Sequence, residues 1–130
     1  MSARPIVLVT GGRSYTDRER VFAELDAIGP GLVIEGGCRH RGGTRGGVPV
    51  IVGADFYAYE WGHARGVHVL TIEALWAAKG DRAGPLRNSV MLRVASLVGC
   101  SLVLAFPGGK GTADCVAKAR AAGLEVREVP

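Results

Sequence analysis

The chain has 130 residues, 48% of them hydrophobic and 22% charged, with a formal charge of +4. That length suits one domain with a core of its own, and that composition excludes a disordered segment. The charge suits anionic ligands but is too small to argue for nucleic acid by itself.

Pro5 to Thr10 is an apolar run rich in β-branched residues, the pattern of a strand buried on both faces. It stops at Gly11-Gly12. Thr16 to Glu19 has capping-box spacing, and the helix it opens sets Val21, Phe22, Leu25 and Ile28 on one face. Gly29-Pro30-Gly31 ends that helix. Leu32 to Glu35 predicts a second strand, closed by Gly36-Gly37. Cys38 to Gly47 is rich in glycine and arginine and nearly free of apolar residues. Val48 to Val52 then reads as a short strand or hairpin arm. Gly53-Ala54-Asp55 opens a helix with Ala54, Ala58, Trp61 and Arg65 along one side. Val67 to Leu70 is a third strand, and Thr71 is expected to cap a short helix through Ala78. After a polar loop, Pro85 starts a longer helix whose expected core stripe is Leu86, Val90, Val94 and Leu97. Ser101 to Ala105 is the fourth strand, Ala113 to Ala122 a helix, and Glu125 to Val129 the fifth strand.

Strands alternate with helices from end to end, which predicts a single α/β domain over residues 1–130 with a mostly parallel sheet and right-handed crossovers. Ligands of such sheets bind outside the carboxyl ends of the strands. The glycine turns at Gly11, Gly36 and Gly108 all fall there, so they are expected to converge on one crevice. Three cysteines, Cys38, Cys100 and Cys115, lie far apart with no CxxC pair, which argues against a disulfide framework. No apolar run approaches the length of a membrane span, and the N-terminus lacks a signal-peptide pattern. A cytoplasmic, reduced protein is expected, host-encoded or carried by a mobile element.

The richest stretch is Phe106 to Asp114, a glycine turn between a strand and a helix. Backbone N–H groups of the turn from Pro107 to Thr112, Pro107-Gly108-Gly109-Lys110-Gly111-Thr112, can approach a phosphate from Gly108 onward, with the helix N-terminus adding positive charge and Thr112 a hydroxyl. It is neither a Walker A loop, since Gly111 follows Lys110, nor a Gly-x-Gly-x-x-Gly turn. Arg87 and Asn88 are expected in the first turn of their helix, where a cation opposes the helix dipole and so implies an anion nearby. Asp55 reads first as a helix cap, with a ribose or a metal as its other roles. Glu60 is expected on the exposed or half-buried side of its helix and Trp61 in the core. Arg13 can pair with phosphate and Tyr15 can stack on a base; a solvated arginine and a core tyrosine are the plainer roles. Cys38-x-His40 has no second pair at zinc spacing, so no metal site is expected.

Four ordered motifs resemble one family. These are Gly11-Gly12-Arg13-x-Tyr15-x-Asp17, Gly53-Ala54-Asp55 with Glu60-Trp61, Ala83-Gly84-Pro85-x-Arg87-Asn88-x-x-Met91, and Phe106 to Asp114. Together they are similar to the YspA, or cpYpsA-related, branch of the SLOG superfamily. The resemblance implies a Rossmann-like three-layer domain with a mostly parallel sheet of about five strands. It implies binding of a nucleotide or nucleotide-derived ligand of the ADP-ribose or NAD kind, with no further cofactor. The contacts would come from Gly11, Gly12, Arg13, Gly36, Gly37, Asp55 and Asn88, together with Pro107 through Thr112. Relatives include the lonely-guy phosphoribohydrolases and the DNA-processing protein A family. Related domains are proposed as sensors or processors of nucleotide signals in bacterial and phage conflict systems. A homodimer or higher homo-oligomer is implied too.

Two departures stand out. The phosphoribohydrolases resemble Pro-Gly-Gly-x-Gly-Thr-x-x-Glu, and here Cys115 stands at the glutamate. Arg87 matches their arginine, and Asp114 is one residue early, about 100 degrees round the helix. Relatives also run from the second glycine pair straight into Gly-Ala-Asp, whereas here a basic, Gly/Arg-rich insertion at 38–52 intervenes. Its Arg39, His40, Arg41 and Arg45 suggest a mobile lid over a phosphate, ahead of a partner-binding arm or a tolerated loop.

A nucleotide sensor, sequestering protein or processor is therefore expected first. The alternative is a nucleoside-5′-monophosphate phosphoribohydrolase with Arg87 catalytic and a carboxylate from Asp55, Glu60 or Asp114. Single-stranded nucleic-acid binding is a further alternative, poorly served by 6% aromatic residues.

Overall fold

A computed structural model describes residues 4–130. Strand β1 (Ile6–Thr10) is followed by α1 (Arg18–Ile28) and β2 (Leu32–Glu35). A hairpin of β3 (His40–Arg45) and β4 (Val48–Val52) comes next, then α2 (Ala54–Arg65) and β5 (His68–Thr71). The short α3 (Trp76–Lys79) and a 3-10 turn lead into α4 (Ala83–Val98), followed by β6 (Leu102–Ala105), α5 (Lys110–Ala121) and β7 (Val126–Glu128).

Five strands form one sheet in the order β5-β2-β1-β6-β7, and every neighbouring pair is parallel. Alternation along the strands divides the core. Val7, Val9 and Leu104 point toward α1 and α2, where they meet Val21, Leu25, Ala58 and Trp61. Leu8, Ile34 and Val103 point the other way, onto Met91 and Ala95 of α4 and Cys115 and Ala119 of α5. The result is three layers, with each fully buried apolar side chain contributing about 1.5–3 kcal/mol.

Chain order reverses across the sheet between β1 and β6. From β1 the chain winds outward through β2 to β5, then returns to β6 on the opposite flank. The two crossovers leaving this point part from one another and open a crevice at the strand carboxyl ends.

Several local expectations shift. The cap of α1 is Asp17, whose Oδ1 accepts the Arg20 N–H at 3.1 Å, one residue beyond the expected Thr16. Thr71 caps nothing, because it ends β5 and its hydroxyl donates to Glu35. Helix α5 begins at Lys110, three residues before the expected Ala113, and so runs directly out of the glycine turn. In α4 the expected stripe does not face the sheet: Val94 is half-buried, and Leu86, Val90 and Leu97 are exposed, Leu97 by 80%. The inward face is Gly84, Asn88, Met91, Leu92 and Ala95. The insertion is an antiparallel hairpin pairing His40 with Val52, and its strands are largely exposed.

Candidate functional site

The crevice has a volume of about 650 Å³, within the size range of small-ligand sites. From β1 it takes Thr10 and the turn Gly11-Gly12-Arg13; from the start of α5 it takes Gly109 through Thr112 and Asp114. The two turns are tied together, as the Gly12 N–H donates to the Pro107 carbonyl at 2.9 Å. On the α4 side, Arg87, Asn88 and Met91 face in, and Asp55 of α2 closes the floor with Cys38. Gly36 and Gly37 line an adjoining cleft instead. Pro107 and Gly108 line neither; they open with Gly109 and Thr112 onto a hollow between α5 and β7.

Gly109 stands at the N-cap of α5 and provides no side-chain cap. In the first turn the Ala113 N–H reaches the Gly109 carbonyl at 3.1 Å. The N–H groups before it, on Lys110, Gly111 and Thr112, are the ends a helix leaves without intrahelical partners. They sit at the crevice wall, carrying the positive end of the helix dipole.

Arg87 lies in the second turn of α4, because the helix begins at Ala83. The expected conflict with the helix dipole therefore does not arise. What draws the guanidinium is the carbonyl of Gly36, which its Nη1 contacts, and the Asn88 Oδ1, to which Nε donates at 2.9 Å. A side chain at Gly36 would collide with Arg87, so glycine must follow β2 for this approach. Asn88 in turn donates to the Gly111 carbonyl at 3.1 Å and to Asp114 at 3.0 Å, tying α4 to the α5 turn.

The expected roles of the acidic residues separate. Asp55 is not a cap, since Gly53 holds that position; it is buried, and its carboxylate accepts the Cys38 N–H at 3.2 Å. Burial pushes its carboxyl up to about 6, the charge of Glu35 adds to the rise, and Arg87 opposes it. Asp114 does face the crevice, where the 100-degree step puts it in place of Cys115. Burial works to raise its pKa, but hydrogen bonds from Lys118 and Asn88 outweigh that and hold it below the usual carboxylate range. Glu60 stands apart: it pairs with Arg18 at 3.1 Å and takes no place in the crevice wall. Cys115 is packed into the core against the sheet, and burial pushes its thiol up to about 11. Tyr15 packs on Phe106 at 5.5 Å between ring centroids, the core role rather than a base platform.

Glu35 was not anticipated. It is 0% exposed, yet it accepts from the Gly37 N–H at 2.7 Å, from both Arg39 terminal nitrogens at 3.0 and 3.2 Å, and from the Thr71 hydroxyl. Its signal was a charged residue closing an apolar strand directly before two glycines. Arg39, expected among the mobile groups of a lid, is thereby fixed at the hairpin base, and it also stacks over Tyr59 at 4.7 Å. Trp76 and Asp81 were likewise missed as crevice residues. Among the described residues no buried side-chain nitrogen or oxygen lacks a partner, and no group of three His, Cys, Asp or Glu side chains is placed to hold a metal. No described helix is long and apolar enough to cross a membrane.

The order of the sheet and a crevice at its reversal point define a Rossmann-like α/β fold. It is similar to the Moco carrier protein from Chlamydomonas reinhardtii, with a TM-score of 0.58 and 18% identity over 97% of this chain and 76% of that one. At that identity the likeness speaks for the fold alone. No protein-family model matches the chain, and no curated protein matches it in sequence.

Proposed function

We propose that the chain binds a nucleotide or nucleotide-derived small molecule across this crevice and holds it as a sensor or sequestering protein. The observation that carries the proposal is the uncapped start of α5 opening into the crevice, with Arg13, Arg87 and Lys110 lining the same crevice. The resemblance of the four motifs to the YspA branch of the SLOG superfamily supports the nucleotide class. That a protein of the same fold is a carrier by name supports holding rather than conversion. The burial of Cys115 where relatives have glutamate supports it too.

The test is calorimetry with ADP-ribose and with AMP, on wild type and on Gly111→Asp. A side chain at Gly111 meets nothing within 4 Å, so the variant should fold normally. Its carboxylate would compete with phosphate for the helix N-terminus. Affinity should fall at least about tenfold, the loss of one charge-assisted interaction; equal binding by both proteins would move the phosphate elsewhere.

One observation favours a second reading, a nucleotide N-glycosidase: a buried carboxyl at Asp55, held near 6, beside Arg87. Holding alone predicts no free base from AMP, GMP or CMP. If base is released, Arg87→Ala should abolish it, and an active variant would remove Arg87 from the chemistry.

A further inference from the structure

The crevice does not end at Cys38. A cleft of about 330 Å³ adjoins it at the ends of β2 and β5 and shares Arg13, Cys38 and Trp76 with it. Trp76 stands at the junction. It is 51% exposed, an unusual state for so large an apolar ring. Its position is set from behind: a Cβ on buried Gly84 of α4 would stand 3.2 Å from the indole Cη2. The ring edge therefore rests on the helix backbone, leaving aromatic surface toward both lobes. The second lobe is otherwise largely polar, with Glu73, His40, Arg39, the shared Arg13 and backbone from Gly36 to Cys38.

The two lobes differ in the groups they leave for a ligand. The α5 end has the N–H groups of a helix start with Lys110 and Arg87; Asp81 and Asp114 line it too, Asp114 already held by Asn88 and Lys118. In the second lobe Arg39 is taken up by Glu35, and Glu73 adds a carboxylate that accepts from hydroxyl and amino donors. The carboxylate of Glu35, at the end of β2, is already saturated by Gly37, Arg39 and Thr71 and is closed to a ligand.

We propose that the lobe between Trp76 and Glu73 is the base and ribose half of one extended site, with the base stacked on Trp76. This rests on the nucleotide reading above and orients the ligand: phosphate at α5, base over Trp76, and an amino or hydroxyl donor on Glu73.

The experiment measures tryptophan fluorescence and calorimetric affinity with GMP, ADP-ribose and ribose 5-phosphate, which keeps sugar and phosphate but lacks a base. The other tryptophan, Trp61, is buried with its indole N–H on Asp26 at 2.8 Å, so quenching on binding reports Trp76. At least one base-bearing ligand should quench and bind about five- to a hundredfold more tightly than ribose 5-phosphate, the range of one base–aromatic stack. Trp76→Leu should erase that ratio and leave ribose 5-phosphate unchanged, Trp76→Phe should restore most of it, and Glu73→Gln should weaken base-bearing ligands only. Equal binding of all three ligands, or a Trp76→Leu loss shared by ribose 5-phosphate, overturns the base site while leaving phosphate binding intact. Absence of binding by every ligand overturns both.

Discussion

Glu35 and Asp55 meet at the buried end of β2 with different provision for their charge. Glu35 is surrounded by donors, whereas Asp55 has the Cys38 N–H and the more distant Arg87. The folded protein therefore holds the Asp55 proton to about pH 6, while the unfolded chain releases it near 3.8. Between those values the native state binds more protons, so stability falls as pH rises. The contribution is fully present below the unfolded pKa and lost by the folded one, on the order of 2–3 kcal/mol. Asp55→Asn removes the titration and can still accept the Cys38 N–H. Urea unfolding at pH 4.5 and 7.5 should show wild type losing more stability across that interval than the variant. Parallel losses would mean that Asp55 titrates in the ordinary range. The glycine turns after β1 and β6 were legible because their chemistry is local; Arg87 was picked out by a helix-dipole conflict that does not arise, and its partner, the Gly36 carbonyl, comes from a distant stretch of chain. The Glu35 network was not legible, because Thr71 and Arg39 reach it only after β2 pairs with β5 and the hairpin folds back.

At the scale of elements, the alternation of strands and helices was legible almost throughout, and the mistakes concern which face turns inward. Helix α4 carries apolar residues on two sides, so periodicity offers two stripes. Leu86, Val90, Val94 and Leu97 make the more hydrophobic one. The sheet receives the other because Asn88 bonds the α5 turn, Met91 fills the space beside Leu8 and Ile34, and Gly84 admits the Trp76 ring. A polar residue thus orients the helix, and hydropathy cannot rank that. The hairpin was half legible. Val48 to Val52 showed strand character, but its partner is glycine and arginine, residues with little β preference. What makes it a strand is main-chain pairing across a tight glycine turn, with Gly46 and Gly47 at φ 59° and 81°.

At the scale of the molecule, the crevice is made from distant stretches of chain. Its walls come from Gly11–Arg13 after β1 and Gly109–Thr112 after β6, on either side of the point where the winding reverses. Neither wall alone can enclose a ligand, and the Gly12 to Pro107 bond is what keeps them in register. A ligand spanning both should slow amide exchange in both together. With ADP-ribose at about a hundred times its dissociation constant, mass action stabilises the native state by about 2.7 kcal/mol. That lowers every opening that requires release of the ligand. Hydrogen exchange should show added protection at residues 11–13 and 109–112 in step, and at 36–38 and 73–76 if the second lobe is filled. The hairpin tip, Thr44 to Val48, is exposed and separates a lid from the other two roles expected of the insertion. Protection there marks a lid that closes on the ligand; unchanged exchange marks an arm or a tolerated loop that leaves the site open. Protection confined to one wall would place the ligand outside the reversal point altogether.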